Sequence, residues 1–230
     1  MPSATETPVA QRDPELPWWP VARPLNGSLN LGSIASAAIE LIDEGGESHL
    51  TMRRIADRLG SSPMAVYWHV TNREELLAVA RDSAMAPVRV AVETSVGWRG
   101  TLESLGRSIH LEIAVRHPHL VPLALSGDRL PGPNLLAVLD QVLVVLFDAG
   151  FSDSEAASAL RMVVNTSLAF RSDVDGTSLR LAATDVPAYP GLTRLMAQQQ
   201  WSSTTERFEI ALAVMIAGIE GTIDNALVET

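Results

Sequence analysis

This sequence predicts an all-α protein in which a small helix-turn-helix head precedes a larger helical body, and three observations carry the prediction. Residues Leu50 to Val70, LTMRRIADRLGSSPMAVYWHV, hold two short amphipathic patterns joined by a Gly-Ser-Ser-Pro turn. After Pro87 the apolar residues recur at helical spacing, and no alternating stretch is long enough to propose a sheet. The chain has 230 residues, 47% of them apolar, and no cysteine, which suffices for one sizeable core plus a small module without disulfides.

Residues 1–28 contain six of the fourteen prolines together with Trp18 and Trp19, and they read as an extended arm. Two readings are open for this arm. Composition favours a disordered tail; the other reading is a segment whose tryptophans dock on the body or whose Arg23 reaches a DNA groove. Ile34, Ala38, Leu41 and Ile42 mark a first helix, which Gly45-Gly46 stops. In the second, Ile55, Ala56 and Leu59 form one apolar stripe and leave Arg53, Arg54, Asp57 and Arg58 facing outward. Gly60 suits the left-handed backbone that ends this helix, Ser62 can accept the first free amides of the next, and Pro63 needs no amide partner at its first position. Val66 and Val70 then point inward, with Met64, Ala65, Tyr67, Trp68 and His69 on other faces. A fourth helix starts at Thr71 with Glu74 or at Asn72 with Glu75, either pair being a capping box.

In the body, Trp98 to Arg116 is one helix and Leu120 to Leu125 a short one. The Pro-Gly-Pro at 131–133 opens a helix from Asn134 to Ala149, closed by Gly150, and Ser152 with Glu155 caps the next, which runs to about Arg171. Ser172 to Gln200 is a looser stretch. Ser203 with Glu206 caps a final helix carrying Phe208, Leu212, Ile216, Ile219, Ile223 and Leu227.

An aromatic and polar face beside arginines suits a nucleic-acid duplex. The hydroxyl of Tyr67 and a ring nitrogen of His69 can bond phosphate oxygens, and apolar side chains can touch thymine methyls in the major groove; packing of Tyr67 and Trp68 in a core is the alternative. The net charge of −10 opposes nucleic acid at first sight. Its distribution is uneven: residues 1–47 carry −5, residues 48–81 carry +2 with five arginines, and residues 82–230 carry −7. All seventeen basic residues are arginine, which we attribute to genomic base composition.

From Ile34 to Arg81 the chain resembles the DNA-binding domain of the TetR family of bacterial repressors, and the run Tyr67-Trp68-His69-Val70 followed by Thr71-Asn72-Arg73 is similar to the tetracycline-repressor branch. The resemblance implies a three-helix DNA head, with helices Ile34 to Glu44, Thr51 to Leu59 and Pro63 to His69, the last being the recognition helix. It implies Thr51 and Arg53 as contacts from the second helix, Pro63, Met64 and Ala65 as the base-facing start of the third with Ser62 beside them among the DNA-binding residues, and Tyr67, His69 and Arg73 as phosphate clamps, while Trp68 orients the helix. Pro63-Met64-Ala65-Val66 stands where that branch has Gln-Pro-Thr-Leu, so the bidentate bonds of Gln to adenine are absent and a different operator is expected. The division that follows is an arm at 1–28, a DNA-binding head with its linking helix at 29–81, and an all-helical ligand-binding and dimerisation domain at 82–230.

Ala211, Ala213, Ala217, Gly218 and Gly221 give the last helix a second, close-packed face, and with the helix from Glu155 to Phe170 it could form a four-helix bundle with a second copy or pack within the chain. The similarity of 135–170 and 208–221 to the C-terminal domain of the tetracycline-repressor branch implies the homodimer. A two-fold protein places its recognition helices about 34 to 36 Å apart, matching a palindromic double-stranded DNA operator. The resemblance further implies a small apolar or amphipathic inducer in the body that moves the fourth helix, with Trp98, Leu105, Ile109, His110, Leu123, Leu139, Met162, Asn165 and Phe170 as candidate pocket residues. Asn165 lies inside an apolar run, where a buried amide would want a partner or a ligand.

No metal site is expected. His110, His117 and His119 lack zinc-ligand spacing and read as surface or capping histidines. Members of the tetracycline-repressor branch hold their drug through magnesium and body histidines, but Val121 to Pro133, similar to one such region, has none, so tetracycline-magnesium is not the expected inducer. Nor is any cofactor. The absence of G-x-S-x-G, of a glycine-rich phosphate loop and of a nucleophilic cysteine argues against an enzyme. No apolar run approaches the roughly 20 residues of a membrane span, and the N-terminus lacks a signal core, so a bacterial cytoplasmic protein, nucleoid-associated when bound to its operator, is expected. The rival readings are an all-α small-molecule-binding or catalytic protein with a vestigial head and a protein-interaction adaptor that uses the Pro-Trp arm, neither of which binds DNA.

Overall fold

The computed structural model describes residues 16, 18–20, 29–125, 131–171, 190–197 and 203–228, and among them the only regular secondary structure is helical. The head begins with α1 (Leu31–Gly45), whose amide ends are closed by a reciprocal pair: the Asn30 side chain accepts from the Ser33 amide at 2.8 Å, and Ser33 Oγ accepts from the Asn30 amide at 3.0 Å. One face of α1 buries Ile34, Ala35, Ala38, Leu41 and Ile42. α2 (Met52–Arg58) starts at Thr51, whose hydroxyl accepts from the Arg54 amide. It stops at Gly60, held at φ 60°, and the Ser61 amide reaches back to the Ala56 carbonyl at 2.9 Å. Ser62 then caps α3 (Pro63–Tyr67), a helix of less than two turns that is held in place by Val66 and Val70, both fully buried.

α4 (Arg73–Met85) follows. Asn72 accepts from the Glu75 amide at 2.8 Å, whereas the Glu75 carboxylate reaches past the cap to the Thr71 amide and hydroxyl. The start is therefore Asn72 with Glu75, and Thr71 takes part as the partner of the Glu75 carboxylate. α4 packs against α1 in the head and against the body, so it belongs to both parts of the protein.

The segment that leaves α4 is fastened along α5 (Gly97–Ile109). Ser108 and Ser104 hydroxyls accept from the Arg89 and Ala91 amides at 2.9 and 2.8 Å, and Thr101 donates to the Ala91 carbonyl. α5 continues without a break into a π-helical turn, His110–Val115, so the single helix expected from Trp98 to Arg116 changes its winding at residue 110. After a 3-10 turn at Pro118–Leu120 come α6 (Val121–Leu125), α7 (Pro133–Asp148) and α8 (Asp153–Ala169); the Ser152–Glu155 capping box forms as the spacing predicts. The looser stretch at 172–200 contains a helix that the sequence reading missed, α9 (Pro190–Ala197), which has a proline at its first position. α10 (Thr204–Val228) closes the chain.

α5, α8 and α10 form the body core, and their approach is close: a Cβ added to Gly106 would lie 2.9 Å from Leu212 of α10. Trp19 corrects the reading of the arm as a tail. It is 7% exposed and belongs to the main core, Trp18 Nε1 donates to the Pro131 carbonyl at 3.0 Å, and the tryptophans are thus docked on the body. The other expectations for the arm, Arg23 included, fall outside the described residues.

Candidate nucleic-acid interface and effector cavity

The head presents a small surface built on a rigid spine. Val66 and Val70 anchor α3, and helical spacing turns Met64, Tyr67 and Trp68 outward, 61%, 40% and 43% exposed. Pro63, Ser62 and Thr51 are exposed beside them, with Ala65 half-buried. The face is therefore apolar and aromatic at its centre, and its first-turn amides are partly satisfied by Ser62, which accepts from the Ala65 amide at 3.2 Å.

Two expected phosphate clamps sit elsewhere. His69 is 1% exposed and lies within the head beside the valine spine, so its imidazole is not on the DNA-facing surface. The reason is periodicity: the backbone keeps near-helical winding past Tyr67, with the Val70 amide bonded to the Val66 carbonyl at 3.1 Å, and residue 69, three after Val66 and one before Val70, falls on the face that those valines bury. Arg73 is corrected too. Its Nε donates to the Leu50 carbonyl at 3.1 Å, one terminal nitrogen to the Glu47 carboxylate at 2.9 Å and the other to the Glu47 carbonyl at 2.7 Å. That guanidinium fastens α4 to the turn between α1 and α2.

The local positive charge is consumed in the same way. Arg58 bonds Glu44 at 2.6 Å and Glu40 at 3.1 Å, tying α2 to α1, and the bond to Glu44 holds its pKa above the usual value. Arg81 faces the body. Arg53, well exposed and 3.9 Å from Asp57, and Arg54 are the cations that α2 offers outward.

Below the head, a cavity of about 280 Å³ opens between α4, α5, α6, α7 and α8. Of the expected pocket residues it collects Leu105, Ile109 and Leu139. The others are corrected. Trp98 packs edge-on against Phe151, with ring centroids 5.2 Å apart. His110 stacks on Phe208 at 4.0 Å with Nδ1 3.3 Å from the Ser167 carbonyl oxygen; burial pushes its pKa down from the usual imidazole value. Phe170 meets the same Phe208 from another side. Leu123 is buried next to the cavity without lining it, Met162 is half-exposed at a separate shallow site with Phe151 and Ile219, and Asn165 faces outward from α8, where its amide needs no internal partner. Arg81, Ala84 and Met85 were missed because the sequence reading treated α4 only as a lever and not as a wall. Ile113 was missed because the π turn shifts the face of its helix.

Two joints connect the cavity to the head. In one, His117 Nδ1 lies 2.7 Å from a carboxylate oxygen of Asp43 on α1. In the other, Asp82 of α4 is buried and its carboxylate accepts from the Leu135 amide at 2.9 Å, the Asn134 amide at 3.2 Å and the Asn134 side chain at 2.9 Å. α7 has no cap of its own, and α4 supplies one. Burial raises the Asp82 pKa, an effect that these donors oppose. Gly132 permits the joint, because a Cβ there would come within 2.4 Å of both Asp82 and Trp19.

Residues 34–80 match the family model of bacterial regulatory proteins, tetR family, and residues 93–223 match that of the tetracyclin repressor-like C-terminal domain. The chain belongs to the TetR family. Within that family it is 35% identical over 137 residues to an HTH-type transcriptional regulator of Saccharopolyspora erythraea, covering 60% of this chain and 57% of the relative. It is 33% identical over 153 residues to the HTH-type transcriptional repressor DrrR1 of Streptomyces coeruleorubidus, covering 65% and 56%. The chain thus spans little more than half the length of these two curated relatives. The crystal structure of ActR from Streptomyces coelicolor in complex with actinorhodin superposes with a TM-score of 0.69 at 27% identity, covering 85% of this chain and 99% of that one. Among the described residues of this TetR-family member no cluster of His, Asp and Glu is arranged to hold a metal ion, and no helix is long and apolar enough to cross a membrane.

Proposed function

We propose that this TetR-family chain is a sequence-specific DNA-binding transcriptional repressor that acts as a homodimer on a palindromic operator and is released by a small apolar or amphipathic molecule. One observation carries the reading: the start of α3 and the aromatic pair Tyr67-Trp68 stand exposed on a helix whose inward residues are fully buried, a rigid presentation of side chains that fits a major groove. Pro63 to Ala65 face base edges, with Met64 and Ala65 suited to thymine methyls, and Tyr67 with Thr51 and Arg53 reaches phosphates, beside Ser62. Names of the relatives as a regulator and a repressor support the same function.

Support for the dimer comes from α8 and α10. Met162, Asn165, Ile210, Val214, Ala217 and Gly218 are all exposed on them, an apolar and small-residue surface that a second copy would cover. Support for the inducer comes from the apolar cavity against α4 and from the solved complex of ActR with actinorhodin. A ligand that prefers a shifted α4 would move α3 through the shared helix, with coupling of about 1–3 kcal/mol being typical. Selection of bound sequences from random duplexes by the purified chain tests the proposal. A recovered palindrome with two half-sites one turn apart is expected; no enrichment, with the chain folded, overturns it and favours a binding protein that does not act on DNA.

A further inference from the structure

The tryptophans of the N-terminal arm sit on the joint that a bulky ligand in the cavity would open, so their docking bears on induction, an inference that rests on the cavity being the inducer site. Ala84 and Met85 of α4 line the cavity from one side, and Leu135, Val138 and Leu139 of α7 line it from another. A ligand that exceeds about 280 Å³ enters by parting these close-packed walls. Leu135 joins cavity to cap, because its side chain lines the space while its amide donates to Asp82 of α4 at 2.9 Å. The arm covers the same place. A Cβ built on Gly132, the residue before α7, would lie 2.4 Å from both the Asp82 carboxylate carbon and the tip of the Trp19 indole, so ring and carboxylate flank one glycine. We propose that Trp18 and Trp19 form a strap that holds α4 against α7, so that the seated arm and a bulky inducer oppose one another.

The two rings act differently. Trp19 supplies the hold: its indole belongs to the main core, a large apolar surface withdrawn from water. It also shields the buried Asp82, whose bonds to Asn134 and Leu135 are stronger where water is kept away. Trp18 supplies the fastening, since its indole N–H donates to the Pro131 carbonyl at 3.0 Å, and Pro131 and Gly132 lead directly into α7. The arm thus touches both partners of the joint, α4 at Asp82 and the entry of α7 at Pro131 and Gly132. Drawing the helices apart breaks up its seat. By linkage, loosening the arm raises affinity for a ligand that parts them, and such a ligand loosens the arm by the same factor. A ligand small enough to leave the helices in place meets no such resistance.

Fluorescence titration of the full chain with Prodan and Laurdan tests the strap. These are one neutral naphthalene dye with a propionyl or a lauroyl chain; the first fits the cavity and the second exceeds it. The proteins are the natural chain, Trp18→Ala and Trp19→Ala, each with and without Ala124→Trp, which fills the cavity from its exposed rim. Trp18→Ala removes only a partly exposed ring and its bond, so it carries the test if Trp19→Ala unfolds; circular dichroism monitors each variant. Both arm variants should bind Laurdan at least about fivefold more tightly than the natural chain, or be the first to bind it detectably, with Prodan affinity unchanged and Ala124→Trp blocking both dyes. Hydrogen exchange at the Asn134 and Leu135 amides should quicken in the same variants. Laurdan affinity that ignores the tryptophans, an equal gain for Prodan, unchanged exchange, or a gain that survives Ala124→Trp because dye occupies the vacated indole site overturns the strap, while block of Prodan by Ala124→Trp in the natural chain leaves the cavity reading standing. Binding of neither dye to any variant, or binding to the natural chain that Ala124→Trp does not touch, overturns the cavity reading and the strap together.

Discussion

Single side chains at the end of α3 are assigned by their helical spacing from Val66 and Val70. Tyr67 and Trp68 stay outside and His69 goes in, so Tyr67→Ala should lower operator affinity with little change in melting temperature, checked by fluorescence anisotropy beside a thermal melt. Ser62 is different. It stabilises the helix by accepting the Ala65 amide, and Ser62→Ala should cost about 1 kcal/mol in urea denaturation. His110 carries the pH dependence. Its folded pKa is pushed down by burial while the unfolded one stays near about 6.5. The unfolded chain therefore binds the proton first, and stability contributed at neutral pH is lost as pH falls through that value. Melting temperature measured from pH 7.5 down to 5.5 should drop more in the natural protein than in His110→Phe, which keeps the stack on Phe208 and cannot titrate.

Helices were legible in the sequence wherever a local signal ends them. Thr51, Ser62, Asn72 and Ser152 all cap within three residues of themselves, and Gly60 and Gly150 occupy the positive-φ positions that finish α2 and α7, so these boundaries needed no knowledge of the fold. α7 marks where that legibility stops. Its cap, Asp82, lies 52 residues from Asn134 along the chain, and no local pattern announces a carboxylate delivered by another helix. The arginines failed for the same reason: Arg58 and Arg73 read as outward cations on their own helices, but Glu44, Glu40 and Glu47 come from a different element. Of the cavity, Leu105, Ile109 and Leu139 could be anticipated as inward residues of body helices, while Arg81 depended on which way α4 turns. Asp82→Ala should leave amides of α7 uncapped in a buried setting and cost about 2 kcal/mol, read by denaturant unfolding. Gly132→Ala should be destabilising as well, since the added methyl meets Asp82 and Trp19 together.

At the scale of the whole protein, a net charge of −10 and a head whose arginines are largely engaged internally imply DNA binding with a modest ionic component. With Arg53 and Arg54 from each of two heads, the logarithm of affinity should fall with the logarithm of salt at a slope of about −4 or shallower; a slope near −8 would mean that cations beyond the described head join in. Val214 is 69% exposed at the centre of the α8–α10 surface, and Val214→Glu should give a monomer in size-exclusion chromatography with light scattering and weaken operator binding with it. The docked arm adds an optical property. Trp19 is sealed against Asp82 and Gly132 at the seam between α4 and α7, so its emission lies toward the blue and changes when that seam slides. The protein thus carries an intrinsic fluorophore at this joint, and if α4 shifts on ligand binding as proposed, a spectral change that disappears in Trp19→Phe would time the motion in solution without any attached dye.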